Sequence, residues 1–306
     1  MKLVNYDNDN YVNSVLVMLY NNPYIKNMVY NPEKKLEKLT ESKFSLLSNI
    51  RKLFEYCDKN GDSLVNPVNL KKCINENFIE ELVKKEPSYI YEKLVEFISG
   101  LDTVPKIEVE NLDLCTSHFR DALSISNNYP NNIYGQYIKK CTCSTCSKKI
   151  YSYDIFQSIK LDIFSNGKYI EDVINDNFEE DFANLECSDC STGTDIEFSI
   201  EKFIFKMPDY LSIKINRFNN DSSLRECRTV KLKPAMDIGN YVFSNSSETS
   251  HYILDSVLCV KDKTSYIIVK NGEHYEMIHD GKVMVVNDLF DSEKHIVYIA
   301  MYSKKN

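Results

Sequence analysis

Two cysteine pairs constrain this chain more than anything else in it: Cys143-Ser144-Thr145-Cys146 and Cys187-Ser188-Asp189-Cys190. A C-x2-C spacing lets two thiolates face one ion, and two such knuckles complete a tetrahedral four-thiolate site. Forty residues separate the knuckles. That is longer than in a simple zinc ribbon, so an inserted β structure has to carry the second knuckle back to the first. Structural zinc is the reading this spacing supports. The plain alternative is four thiols that recur at this interval without a metal. A closed four-thiolate site leaves no position open for a substrate, so such a zinc stabilises and does not catalyse. Cys141 is separated from Cys143 by one residue, a spacing that suits a ligand poorly. Cys57, Cys73 and Cys259 lie in apolar-periodic contexts that suit buried core thiols. Neither they nor Cys115 and Cys227 have the neighbouring His or helix start that marks a nucleophile.

The composition is that of an ordinary folded protein, with 43% hydrophobic and 27% charged residues over 306 positions. That is ample for a buried core. A formal net charge of -8 repels phosphate backbones, which argues against nucleic acid as a partner and favours a basic ligand. Met1 to Tyr6 holds one Lys and no apolar run, so no signal peptide is expected there. No stretch approaches the roughly 18 apolar residues of a membrane span. The expectation is an intracellular, cytoplasmic protein with no membrane partner. There its ten cysteines are thiols or metal ligands and not a disulfide framework. The abundance of Asn, Lys, Ile and Tyr is what an AT-rich genome encodes. For a viral source, the host cytoplasm is the expected place.

Three regions differ in pattern. Residues 1–130 read as helical. Val12, Val15, Leu16, Leu19 and Tyr20 follow the i, i+3, i+4, i+7 rhythm, with Asn8 and Asp9 placed to cap and Pro23 beyond the end. Further helices are predicted over 46–56, 68–76 and 90–98. Residues 131–205 read as short strands bounded by the cysteine knuckles. Residues 206–306 read as β. Leu211, Ile213 and Ile215 alternate with polar neighbours, and strands are predicted over 253–260, 266–270, 283–286 and 296–302. Helices, then a cysteine-bounded insertion, then strands, is the order of an α+β fold. Asp58-Lys59-Asn60-Gly61-Asp62 imitates the start of a calcium loop. The sixth and twelfth positions of such a loop, which need Gly and Glu, are Ser63 and Asn69, so a polar turn between helices is the better reading.

The N-terminal residues then carry a resemblance. Leu3-Val4-Asn5-Tyr6-Asp7-Asn8-Asp9-Asn10-Tyr11-Val12-Asn13-Ser14 resembles the box L-x-N-x-G-N-T-C-Y-x-N-S of the ubiquitin-specific proteases. Leu3, Asn5, Asn8, Tyr11, Asn13 and Ser14 are kept. Asp7 stands for Gly, Asp9 for Thr and Asn10 for the nucleophilic Cys. Ile133-Tyr134-Gly135 resembles the family's approach to its first zinc knuckle. Met207-Pro208-Asp209-Tyr210-Leu211-Ser212-Ile213-Lys214-Ile215-Asn216-Arg217-Phe218 resembles its L-P-x-x-L-x-I-x-L-K-R-F strand. Thr264-Ser265-Tyr266 stands where the family has Gly-His-Tyr, and His279-Asp280 where it has its acidic pair. The closing strand at 296–302 completes the order. The resemblance implies a papain-like hand: a helical thumb over 1–130, zinc-bearing β fingers over 131–205 with Cys143, Cys146, Cys187 and Cys190 as metal ligands, and a β palm over 206–306. Ubiquitin or a ubiquitin-like protein is the implied partner.

The resemblance also implies what is missing. The family's thiolate attacks an amide carbonyl, an imidazole activates the thiol, and a carboxylate orients the imidazole. Here those positions hold Asn10, Ser265 and Asp280, with Asn8 at the oxyanion-donor position. A carboxamide has no ionised form to attack with, and a hydroxyl does not exchange a proton near pH 7 as imidazole does. Asp280 then has nothing to orient, and Asn8 has no attack to stabilise. His279, next to Asp280, is expected on the opposite face. His118, His251, His274 and His295 match no catalytic position. Thr264 and Asp7 replace glycines that allow close backbone approach, so a narrowed tail channel is expected. Three readings follow: an inactive homologue that binds ubiquitin or another protein as a scaffold, an active cysteine deubiquitinase, and a structural protein that keeps only the fold.

Overall fold

The computed structural model describes residues 1–3, 10–31, 40–61, 63–78, 87–99, 107–109, 132–190, 195–217, 228–243, 250–261, 264–286 and 295–305. Asn5, Asp7, Asn8, Asp9, Cys115, His118, Phe218 and Cys227 lie outside them.

Strand β1 (Lys2–Leu3) is followed by α1 (Asn10–Asn21), α2 (Pro23–Tyr30) and α3 (Glu41–Asn60). Strand β2 (Leu64–Val65), which pairs in parallel with β1, then leads to α4 (Val68–Asn77) and α5 (Pro87–Ser99). The apolar face of α1 is buried as its rhythm requires: Val15, Leu16 and Leu19 are wholly inaccessible. Pro23 does not merely follow α1 but opens α2. A proline lacks only an N–H that a first-turn position leaves unused, and Asn22 Oδ1 caps the new helix by accepting from the N–H groups of Tyr24 and Ile25 at 3.0 Å. α3 runs on through Asp58, Lys59 and Asn60. The Asp58 carboxylate accepts hydrogen bonds from Tyr20, Tyr30 and Lys26, so these residues form a helix end tied to α1 and α2.

Next come β3 (Ile107–Val109), β4 (Gly135–Cys143), β5 (Lys149–Phe156), β6 (Ser158–Leu161), β7 (Lys168–Tyr169), α6 (Ile170–Phe178), β8 (Asp181–Leu185) and β9 (Ile196–Lys206). A five-stranded sheet in the order β3-β5-β4-β9-β8 carries both knuckles at one end. Two features depart from an insertion of strands alone. Helix α6 lies between the knuckles, where Ile170, Val173 and Ile174 fall at helical spacing and are buried. β6 leaves this sheet and pairs in parallel with a later strand, setting Ile159 against Ile213.

The last third supplies β10 (Tyr210–Ile215), β11 (Val230–Lys231), β12 (Ala235–Asp237), β13 (His251–Lys261), β14 (Thr264–Asn271), β15 (His274–His279), β16 (Lys282–Val286) and β17 (Ile296–Lys304). The large sheet runs β16-β15-β14-β13-β17-β10-β6, with β12 added on β13. Its two faces build two cores. Ile267, Ile278 and Met301 face the helices and pack with Leu16, Leu19, Phe54 and Leu94. Ile268, Val257 and Tyr302 face the other way and pack with Ile159, Ile174 and Ile213. Ile267 and Ile268 fall in different cores because successive strand residues point to opposite faces. A buried polar clamp joins α5 to the sheet: Glu92 accepts from Ser158 Oγ at 2.9 Å and from Lys214 Nζ at 3.1 Å. Arg217, fully buried, donates to the carbonyls of Val297 and Arg228. The arginine of the K-R-F-like motif therefore ties the end of β10 to the Val297 and Arg228 backbone.

Candidate functional site

The cysteine quartet forms where two turns meet. Cys143 ends β4, and Cys146 sits in the turn that leads to β5. Ser147, in the left-handed region at φ 59°, lets that turn close, and its N–H bonds the Cys143 carbonyl at 3.0 Å. Cys187 and Cys190 occupy the corresponding turn after β8. The four Sγ atoms all lie within 4.8 Å of one another. Cys143 and Cys190 are 3.8 Å apart, and Cys146 and Cys187 are 3.6 Å apart. A zinc–sulfur bond of about 2.3 Å implies a tetrahedral edge of about 3.8 Å, so this donor set has the size and chemistry of a four-thiolate zinc site. Lys148 crosses between the knuckles, donating to Ser188 Oγ at 2.8 Å and Asp189 Oδ1 at 2.9 Å. The N–H of Cys146 favours the Cys143 thiolate and draws it down to about 7. Hydrogen bonding to Cys146 pushes the Cys190 thiol well above its usual range. Four adjacent thiols do not all ionise without a cation to share them. Cys141 packs beside the quartet and is not part of it.

A second site lies along the seam between α1 and β14. Ser265, the second residue of β14, is 3% exposed. Its hydroxyl shares a 2.9 Å hydrogen bond with that of Ser14 on α1. Asn10 is the first residue of α1. It lies one turn, about 6 Å, before Ser14 along the helix; the contact to Ser265 is made by Ser14. The β14–β15 register pairs Ile267 with Ile278. Carried two residues further, that register sets 265 opposite 280.

Asp280 has a backbone role of its own. With φ values of 48° and 74°, Asp280 and Gly281 are the two central residues of the hairpin turn between β15 and β16. A right-twisted hairpin requires positive φ at both places, and an Asp-Gly dipeptide supplies it. The His279 ring meets Tyr266 edge-on, with centroids 6.2 Å apart. Tyr266 points to the face of β14 away from Ser265, and its hydroxyl contacts His295 Nδ1 at 2.9 Å. The cavity against Asn13, Ser14, Ile267 and Asp280 measures about 20 Å³, room for roughly one water. Thr264 turns its hydroxyl back to the Lys261 carbonyl at 2.8 Å.

The model of the ubiquitin carboxyl-terminal hydrolase family matches residues 1–302, nearly the whole chain. The chain belongs to this family. No curated protein matches it.

Membership in the ubiquitin carboxyl-terminal hydrolase family brings the papain-like fold of ubiquitin-specific protease domains, and the helices, the cysteine-bearing sheet and the large sheet are its parts. Among the described residues, no helix is long and apolar enough to cross a membrane. Two contacts of this hydrolase-family chain differ in how far its motifs announce them. The Ser14–Ser265 bond joins residues 251 positions apart, and no local pattern announces it. The Lys148 bridge was more accessible, since a Lys beside one knuckle and an Asp inside the other form an evident pair.

Proposed function

We propose that this chain is a catalytically inactive ubiquitin-specific protease homologue that binds ubiquitin or a ubiquitin-like protein without cleaving it. The reading rests on one observation above all. At the position assigned to the catalytic imidazole stands a buried serine hydroxyl, engaged with Ser14. A hydroxyl cannot take a proton from a nucleophile and return it near pH 7, and Asn10 offers no thiol to activate. Asp280 keeps the orienting position through its turn geometry. The small cavity between Ser14 and Asp280 favours a narrowed tail channel, so ubiquitin would be held mainly by its globular surface.

In this proposal residues 1–130 form the thumb, 131–205 the fingers and 206–306 the palm, with β6 lent by the middle span to the palm sheet. A structural zinc on Cys143, Cys146, Cys187 and Cys190 holds the fingers. The net charge of -8 favours basic protein surfaces over nucleic acid, and the cytosol, with its reducing conditions, is the expected setting.

A titration of isotope-labelled ubiquitin with the purified protein tests the reading. Saturable shifts, with an intact linear ubiquitin fusion after prolonged incubation, are the expected result. Cleavage of the fusion, or covalent capture by a cysteine-reactive ubiquitin probe, would overturn the inactive assignment. No shifts at high concentration would leave a protein that keeps the fold for another purpose.

A further inference from the structure

The α1–β14 seam has a second opening. α1 and β14 run side by side, from Ser14 and Ser265 at one end to Asn21 and Val269 at the other. At that far end, where α1 turns into α2, lies a cleft of about 310 Å³. This is near the lower bound of ordinary ligand sites, roughly 300–1,000 Å³. Its walls include Asn22, Tyr210, Asp255, Ser256, Met301 and Ser303.

The key residue is there because the sheet is irregular. On β13 and β17, Leu254 pairs with Tyr302 and Ser256 with Met301, which leaves Asp255 as an extra residue. Such a bulge re-aims side chains. Leu254 belongs to the core on the far face and Leu258 to the core on the helix face. The bulge therefore sets two consecutive residues, Asp255 and Ser256, along the helix-facing cleft. Burial pushes the Asp255 carboxyl above its ordinary value, against a 3.0 Å hydrogen bond from Ser303 Oγ. A carboxylate offers about four acceptor sites, and the Ser303 bond occupies one. Beside it stands Tyr210, whose ring is stacked on Tyr24 at 6.2 Å. Met301 and Val269 supply an apolar wall, and Ser256 a further hydroxyl. Lys270 lines the cleft too and its charge draws the Asp255 carboxyl down, less strongly than burial raises it; it is solvent-exposed, so it can swing away from an incoming cation.

We propose that this cleft binds the guanidinium of an arginine side chain from a partner protein. Asp255 would accept its planar N–H fork. The Tyr210 ring would offer a cation–π face, and Met301 and Val269 would line the methylene stem. The acidic chain as a whole draws such a cation in. The site lies at the opposite end of α1 from Asn10 and is independent of the cleavage chemistry.

The test uses N-acetyl-arginine amide as probe, followed by NMR on the full chain. Saturable binding in about the millimolar range, with shifts at Asp255, Ser256 and Ser303, is expected. N-acetyl-citrulline amide, of like shape but uncharged, should not bind. Asp255→Asn keeps an acceptor for Ser303 and removes the charge, and should weaken binding at least about tenfold. Equal binding of the citrulline probe, unchanged affinity in the Asn variant, or no saturation by the arginine probe would each overturn the proposal. The comparison of the two probes needs no variant, so it stands even if Asp255→Asn fails to fold.

Discussion

At the scale of single residues, the seam is held by two hydroxyls that see almost no water. Ser14 is 6% exposed and Ser265 3%, so removing either leaves its partner buried without the bond at 2.9 Å. Ser14→Ala and Ser265→Ala should each cost about 1–2 kcal/mol in urea unfolding. The double variant should cost less than the sum by about 1 kcal/mol, because both changes delete the same bond. Strict additivity would mean that the two hydroxyls do not cooperate. Asp58 makes a second residue-scale case. Burial would raise its carboxyl, but hydrogen bonds from Lys26, Tyr20 and Tyr30 outweigh burial and hold it at about 2. The unfolded value is about 3.9. A carboxyl depressed in the folded state contributes stability above its unfolded value and loses it as pH falls through the folded one. The difference in Tm between the native chain and Asp58→Asn should therefore be present at pH 5 and vanish toward pH 2. Because Asp58 is more than one third exposed, the difference should be small and should shrink with added salt.

At the scale of elements, the quartet organises one end of the five-stranded sheet. Cys143, Cys187 and Phe198 form a small core of their own, apart from the two large ones. A cluster that small gives a sheet end little stability without a metal. Cys187→Ser, or strong chelation, should raise hydrogen exchange in β8, in the Cys143 end of β4 and in the facing start of β9. β13 and β17, central in the other sheet, should keep their protection. Metal analysis should find one zinc per chain, and a metal-free native protein would refute the site. This element was legible in advance because its signal is local: four cysteines in two short spacings. The strand around Leu211 was legible for the same reason, through alternation, and those around Val257 and Ile299 through short continuous apolar runs. α6 was not, because Ile170, Val173 and Ile174 make only two turns amid β-like neighbours. The path of β6 into the large sheet was not legible either, since nothing in Ser158–Leu161 names a partner more than fifty residues away. The bulge at Asp255 was hidden because it depends on register with β17, and register is a property of two strands together.

At the scale of the whole molecule, the helices and the large sheet are one body. The core on the helix face joins α1, α3, α4 and α5 to β13, β14, β15 and β17. The Glu92 clamp adds a polar tie to β6 and β10. Lys214→Met would strand the Glu92 charge with Ser158 and a longer contact to Lys160 at 3.6 Å. Stranding a buried charge costs about 3–5 kcal/mol, and the remaining partners place this case near the lower figure. The large-sheet transition should move to lower denaturant as a single step, and a split into two steps would show that helices and sheet are separable. The same intimacy has a temporal side. α1 leaves the ribosome well before its partner on β14, which lies 251 residues further on. At translation speeds of 5–20 residues per second, α1 waits roughly ten to fifty seconds with its apolar stripe uncovered. A nascent chain of this protein is therefore a client for chaperones through that interval, and the seam closes only once β14 has emerged.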